Sequence, residues 1–121
     1  MIILVTGDRN WADKERIYWT LSQIDSEETF VPFLIHGNAN GADKMAADCA
    51  YDLGWRCKSV PAQWEKYGRA AGPIRNQQML DMNPDLVIAF HEDLENSKGT
   101  KDMVNRAKKK GVKVIHIGSK K

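Results

Sequence analysis

Phe33-Leu34-Ile35-His36-Gly37-Asn38-Ala39-Asn40-Gly41-Ala42-Asp43 changes character midway, from a short apolar run to a turn punctuated by glycine. Beyond it Ala42, Met45, Ala46, Cys49, Ala50 and Leu53 fall on one helical face, and Gly54 is a natural stop. This reads as a strand, a tight turn and a helix. The unit recurs in both directions. Upstream, Ile2-Ile3-Leu4-Val5 is a continuous apolar run, as expected of a strand buried on both faces, and Gly7 ends it. From Asp13 to Ile24 the residues Ile17, Leu21 and Ile24 recur at i, i+4, i+7, a helical stripe. Downstream, Trp55 to Val60 reads as a third, weaker strand closed by Pro61. Residues 62–72 are the least regular stretch. Proline is tolerated in the first turn of a helix, so a helix is expected from Pro73 to about Met82. Asp85 to Phe90 forms the strongest strand. Met103, Val104 and Ala107 mark a last helix, with Lys108-Lys109-Lys110 at its C-terminal end and Gly111 as its cap. Val112 to Ile115 is the fifth strand, and Ser119 to Lys121 are expected to fray.

Strands alternating with helices imply parallel pairing through right-handed crossovers. The expected fold is α/β: a Rossmann-like three-layer sandwich around a mostly parallel five-stranded sheet, in one domain over residues 1–121. A chain of 121 residues with 42% hydrophobic and 28% charged residues has ordinary globular composition, which excludes a disordered chain, a fibre or a coiled coil. No apolar run approaches the roughly 20 residues of a membrane span, and Met1 to Thr6 is too short and uncharged for a secretory signal. A net charge of +2 gives no argument for nucleic acid. Cys49 and Cys57 form no disulfide framework or metal spacing. The expectation is a cytoplasmic protein with reduced thiols and no membrane partner.

In open parallel sheets ligands sit beyond the carboxyl ends of the strands, which directs attention to four loops. In Thr6-Gly7-Asp8-Arg9-Asn10, Gly7 permits a tight turn, and Asp8 and Arg9 offer an acceptor and a donor fork. The plainer account is a turn, a helix cap and a surface arginine. In the His36 to Asp43 turn, Gly37, Asn38 and Gly41 leave backbone N–H groups free at a helix start, suited to an anion. It matches neither the P-loop nor GxGxxG. In the third stretch Trp64 and Tyr67 could stack on a base. Arg69 and Arg75 could hold phosphate, with Arg75 and Asn76 in the first turn after Pro73. An Arg75→Ala change is accordingly expected to leave stability almost untouched. In Ser97-Lys98-Gly99-Thr100, Thr100 can cap the last helix while Gly99 admits an anion to its amides. His36 and His91 end strands and His116 lies in one, at spacings that fit no zinc motif, so no metal and no cofactor are expected.

The succession Gly7-Asp8-Arg9, His36-Gly37 with Gly41-Ala42-Asp43, Pro61-Ala62 with Trp64, Tyr67 to Met79, Asp85 to Phe90 and Gly99-Thr100 resembles the YspA/YpsA-related branch of the SLOG superfamily over nearly the whole chain. Gly68-Arg69-Ala70-Ala71-Gly72-Pro73-Ile74-Arg75-Asn76 is the most specific part of the likeness. The resemblance implies a Rossmann-like fold and a nucleotide or nucleotide-derived ligand. Relatives include LOG-type nucleoside-monophosphate phosphoribohydrolases, the DNA-processing protein DprA and sensor domains of conflict systems. Two departures weaken the hydrolase reading. LOG-type enzymes carry Pro-Gly-Gly-x-Gly-Thr-x-x-Glu, whereas here His91 to Lys98, an acidic stretch, precedes Gly99-Thr100. Met103 stands where their catalytic Glu would be, and Asp102 beside it is turned about 100° away on a helix.

The leading expectation is a binding module for a nucleotide-like small molecule, with Gly7, Asp8, Arg9, His36, Gly37, Asn38, Gly41, Asp43, Trp64, Arg69, Arg75, Asn76, Gly99 and Thr100 as ligand-binding residues. The first alternative is an N-glycosidase acting on a nucleoside monophosphate. It needs a carboxylate, for which Asp43 and Asp102 are the main candidates beside Asp8 and Glu92. The second is DprA-like binding of single-stranded nucleic acid, which would want a basic groove with aromatics. Four tryptophans in so short a chain also suggest dimers or larger assemblies, with Trp11, Trp19 and Trp64 as contact candidates.

Overall fold

A computed structural model describes residues 1–118; the expected fraying of Ser119 to Lys121 lies outside the described residues. Five parallel strands, β1 (Ile2–Gly7), β2 (Phe33–His36), β3 (Arg56–Ser59), β4 (Leu86–Phe90) and β5 (Lys113–Ile117), stand in the order β3-β2-β1-β4-β5. The helices are α1 (Lys14–Glu27), α2 (Ala42–Asp52), α3 (Trp64–Tyr67), α4 (Ala71–Leu80) and α5 (Gly99–Lys110). The expected α/β Rossmann-like sandwich is present, with every strand pair parallel.

Period-two alternation divides the core. Ile3 and Val5 face one side of β1 and pack with Ile17, Leu21, Ala46 and Cys49 of α1 and α2. Leu4 faces the other side, with Met79 and Leu80 of α4 and Met103 and Ala107 of α5. Four consecutive residues of β1, Ile3 to Thr6, and all five of β4 are buried, as central strands covered on both faces must be. Trp11 belongs to this core. It is 4% exposed, lies 5.6 Å from the Phe90 ring and donates its indole N–H to the Asp13 carbonyl at 2.9 Å. It is therefore unavailable for a subunit contact.

Between β3 and β4 the chain departs from expectation. The stretch read as irregular holds α3 and a 3-10 turn, Gly68–Ala70, and α4 begins at Ala71 rather than Pro73. Pro73 is the third helical residue. The first amides of a helix have no intrahelical partner, so a missing N–H is tolerated there as well as at the first position. Proline marks the first turn, not its first residue. Arg75 and Asn76 consequently lie in the second turn.

Candidate functional site

The strand order reverses at β1, whose neighbours β2 and β4 are reached by crossovers on opposite faces. That topology opens a crevice beyond the C-terminal ends of β1 and β4. The turn after β1 is held at three points. The Asp8 amide donates to the Phe90 carbonyl at 2.9 Å, and the Asp8 carbonyl accepts from Trp11 and Ala42 amides, each at 3.1 Å. The Ala42 amide is one of the orphan donors at the start of α2, so the first loop caps the second helix. This closeness demands glycine twice. A Cβ on Gly7 would stand 2.5 Å from the Phe90 oxygen and 2.6 Å from the Ala42 Cβ. Gly41, at φ 76°, would drive one into the Asp8 oxygen and to 2.5 Å from the Arg9 carbonyl carbon.

The crevice has two arms. The first, a cavity of about 260 Å³, is walled by Gly7, Asp8 and Arg9 from the β1 turn, and by Asp43 of α2. Arg75 and Asn76 of α4, His91 after β4, and Ser97, Lys98, Gly99 and Thr100 at the start of α5 complete it. The second, of about 340 Å³, is walled by Gly37, Asn38 and Asn40, by Pro61 and Ala62, and by Trp64. Arg9, Ala39 and Arg75 border both arms and join them. Eleven of the fourteen expected ligand-binding residues thus lie on one continuous wall.

Three do not. His36 is buried, and its Nδ1 accepts from the Asn38 amide at 3.0 Å, so it shapes the turn from behind; burial lowers its pKa. Gly41 packs beneath the wall. Arg69, in the 3-10 turn before α4, is exposed away from both arms. Asp102 also lies outside the crevice. Its Oδ2 accepts from Asn76 Nδ2 at 2.9 Å and from Arg106 Nε at 2.8 Å, in the seam between α4 and α5. The acidic stretch after β4 turns away too, since Glu92, Asp93 and Glu95 line neither arm. Thr100 is not the expected cap. It is buried, and Ser97 Oγ accepts from the Lys101 amide at 3.0 Å instead. His91, Ala39 and Asn40 join the wall although no role was expected of them; their positions at a strand end and inside the glycine turn were the available signal.

Asp43 is 5% exposed, and its Oδ2 accepts from the Gly37 amide at 2.9 Å and more weakly from Ala39 at 3.5 Å. Burial pushes its pKa up to about 6, although those two amides and the nearby Arg75 favour the charged form. Arg75 crosses the crevice floor. Its Nη1 donates to the Gly37 carbonyl at 2.7 Å and its Nε to Asn76 Oδ1 at 3.2 Å. The remaining donors of a planar fork so fixed suit an oxyanion. Among the described residues no group of three or more His, Cys, Asp or Glu side chains could hold a metal ion, and no helix is long and apolar enough to cross a membrane.

Residues 1–67 match the YspA, cpYpsA-related SLOG family. The chain is also 32% identical over 123 residues to the Gene 61 protein of Mycobacterium phage D29, across 98% of this chain and 97% of that protein.

Proposed function

We propose that this chain, which belongs to the YspA, cpYpsA-related SLOG family, binds a nucleotide or nucleotide-derived small molecule in the crevice beyond β1 and β4. One observation carries the reading: two arginines, Arg9 and Arg75, stand where an arm ending at a helix start meets an arm bordered by an exposed tryptophan. The start of α5, at Gly99 and Thr100 with Lys98 beside it, suits the phosphate. Trp64, 54% exposed, offers its face to a base. The chain acts as a single domain, and its two free thiols suit a reducing cytoplasm.

Binding is favoured over N-glycoside cleavage by the state of the crevice carboxylates. Asp43 is engaged by loop amides, Asp8 Oδ1 accepts from the Asn10 amide at 2.9 Å, and Asp102 lies outside the crevice, paired with Asn76 and Arg106 in the seam between α4 and α5. The test is calorimetry with adenosine 5′-monophosphate, adenosine and ribose 5-phosphate, paired with chromatography for free base. Binding of the monophosphate above both fragments, weakened about tenfold or more in Arg9→Ala, is expected on the scale of a charge-assisted hydrogen bond. Free adenine formed by the wild type and lost in Asp43→Asn would replace this reading with the glycosidase. Binding of none of the three probes would remove it.

A further inference from the structure

We infer that Asp102, although outside the crevice, is a positioning residue that sets the geometry of the crevice wall through Asn76. The inference rests on the ligand-binding reading above. Asn76 is 3% exposed and stands between the two helices that close the first arm. Its Nδ2 donates in two directions, to the Gly99 carbonyl at 3.2 Å and to Asp102 Oδ2 at 2.9 Å. Its Oδ1 accepts from Arg75 Nε at 3.2 Å. One side-chain amide thus ties the start of α5 to the guanidinium on α4.

An amide has two ends, and its orientation decides what both neighbours see. With Oδ1 toward Arg75, the fork is held with its Nη1 on the Gly37 carbonyl. With Nδ2 toward Gly99, the α5 start is drawn against α4. A flipped amide would set a donor against the Arg75 Nε–H and an acceptor against the Gly99 carbonyl, losing both bonds. Asp102 opposes the flip, because an ionised carboxylate only accepts. It is itself fixed by Arg106, whose Nε donates to Oδ2 at 2.8 Å and whose Nη1 donates to Gln77 Oε1 of α4 at 3.0 Å. The order Arg106, Asp102, Asn76, Arg75 carries a constraint from the outer seam to the crevice wall, with Arg106 and Asp102 themselves outside both arms.

The experiment compares Asp102→Ala, Asp102→Asn and Asp102→Glu with the wild type, using adenosine 5′-monophosphate and adenosine as probes. The side-chain amide resonances of Asn76 are followed by ¹⁵N NMR without ligand. Asp102→Ala is expected to shift those resonances and weaken monophosphate binding about tenfold, with adenosine affinity unchanged. In Asp102→Asn the Arg106 Nε–H, which only donates, holds the remaining carbonyl oxygen at the shared position, so an acceptor still faces Asn76 and most of the loss should be recovered. Asp102→Glu keeps the charge but displaces it by a methylene, so it separates placement from charge even if Asp102→Ala does not fold; weaker binding than in Asp102→Asn is expected. Unshifted Asn76 resonances, or equal losses for both probes, would overturn the inference. If the wild type binds neither probe the nucleotide reading fails, and the Asn76 resonances alone decide whether Asp102 sets the wall.

Discussion

A buried carboxylate whose pKa is raised to about 6 opposes folding at neutral pH. Asp43 ionises near 3.8 when its environment does not perturb it, so the folded protein holds a proton that the unfolded chain has lost between those two values. Where the native state binds more protons, stability falls as pH rises. The contribution of Asp43 is therefore fully present below about pH 4 and is lost as pH climbs through about 6. A carboxamide at this position has no such proton to lose and can still accept from the Gly37 amide. Asp43→Asn is expected to be more stable than the wild type at pH 7.5 by about 3 kcal/mol. The advantage should vanish at pH 4. Denaturant unfolding at both pH values measures it, and a difference independent of pH would show that Asp43 is not raised. The sequence made Asp43 legible as a polar residue in a glycine turn. It could not show that the Gly37 and Ala39 amides would curl onto one carboxylate oxygen, because that depends on Asn38 adopting a left-handed φ of 58°.

At the scale of elements, α4 is where local rules and tertiary structure part. Placing its start at Pro73 made Arg75 a first-turn residue free of the core, and hence dispensable for stability. Starting at Ala71, it carries Arg75 into the second turn, where the side chain spans to the Gly37 carbonyl of the β2 loop. Arg75→Ala is now expected to destabilise the fold by roughly 1–3 kcal/mol, the scale of a charge-assisted bond with a carbonyl left unmet. Thermal unfolding would register this as a fall of several degrees, and an unchanged midpoint would return Arg75 to a purely ligand-facing role. Arg75→Lys should recover only part of the loss, since an ammonium cannot reach Gly37 and Asn76 as a fork does. The same limit explains α3. The four residues Trp64–Tyr67, stopped by Gly68, give no periodicity to read, so Trp64 was legible as an aromatic near the site but not as a helical one. Asp102 was rightly turned from the Met103 face by helical geometry; its partner on α4 lay beyond any local pattern.

For the molecule as a whole, the parallel sheet was legible because alternation and crossover handedness restrict it; the order β3-β2-β1-β4-β5 was not, since no local pattern says which strands become neighbours. Which tryptophans remain outside was not legible, since Trp11 and Trp55 are 4% and 5% exposed whereas Trp19 and Trp64 are 58% and 54% exposed. Trp64 borders the crevice, which leaves Trp19 to support the expectation of self-association. It lies on α1 with the Arg16 guanidinium 5.5 Å from its ring, in a groove shared with Asp13 and Glu15. A groove that presents an aromatic ring with both signs of charge can complement itself about a two-fold axis, and the arrangement we propose opposes Arg16 of one copy to Glu15 of the other. We therefore expect a dimer at tens of micromolar, dissociated by Trp19→Glu. Glu15→Arg and Arg16→Glu should each weaken it by like-charge opposition, and the double reversal should restore it because the pair is rebuilt with signs exchanged. Sedimentation velocity on the four variants tests this. A wild-type monomer at that concentration would end the expectation, and a dimer indifferent to Trp19→Glu would move the contact to another face.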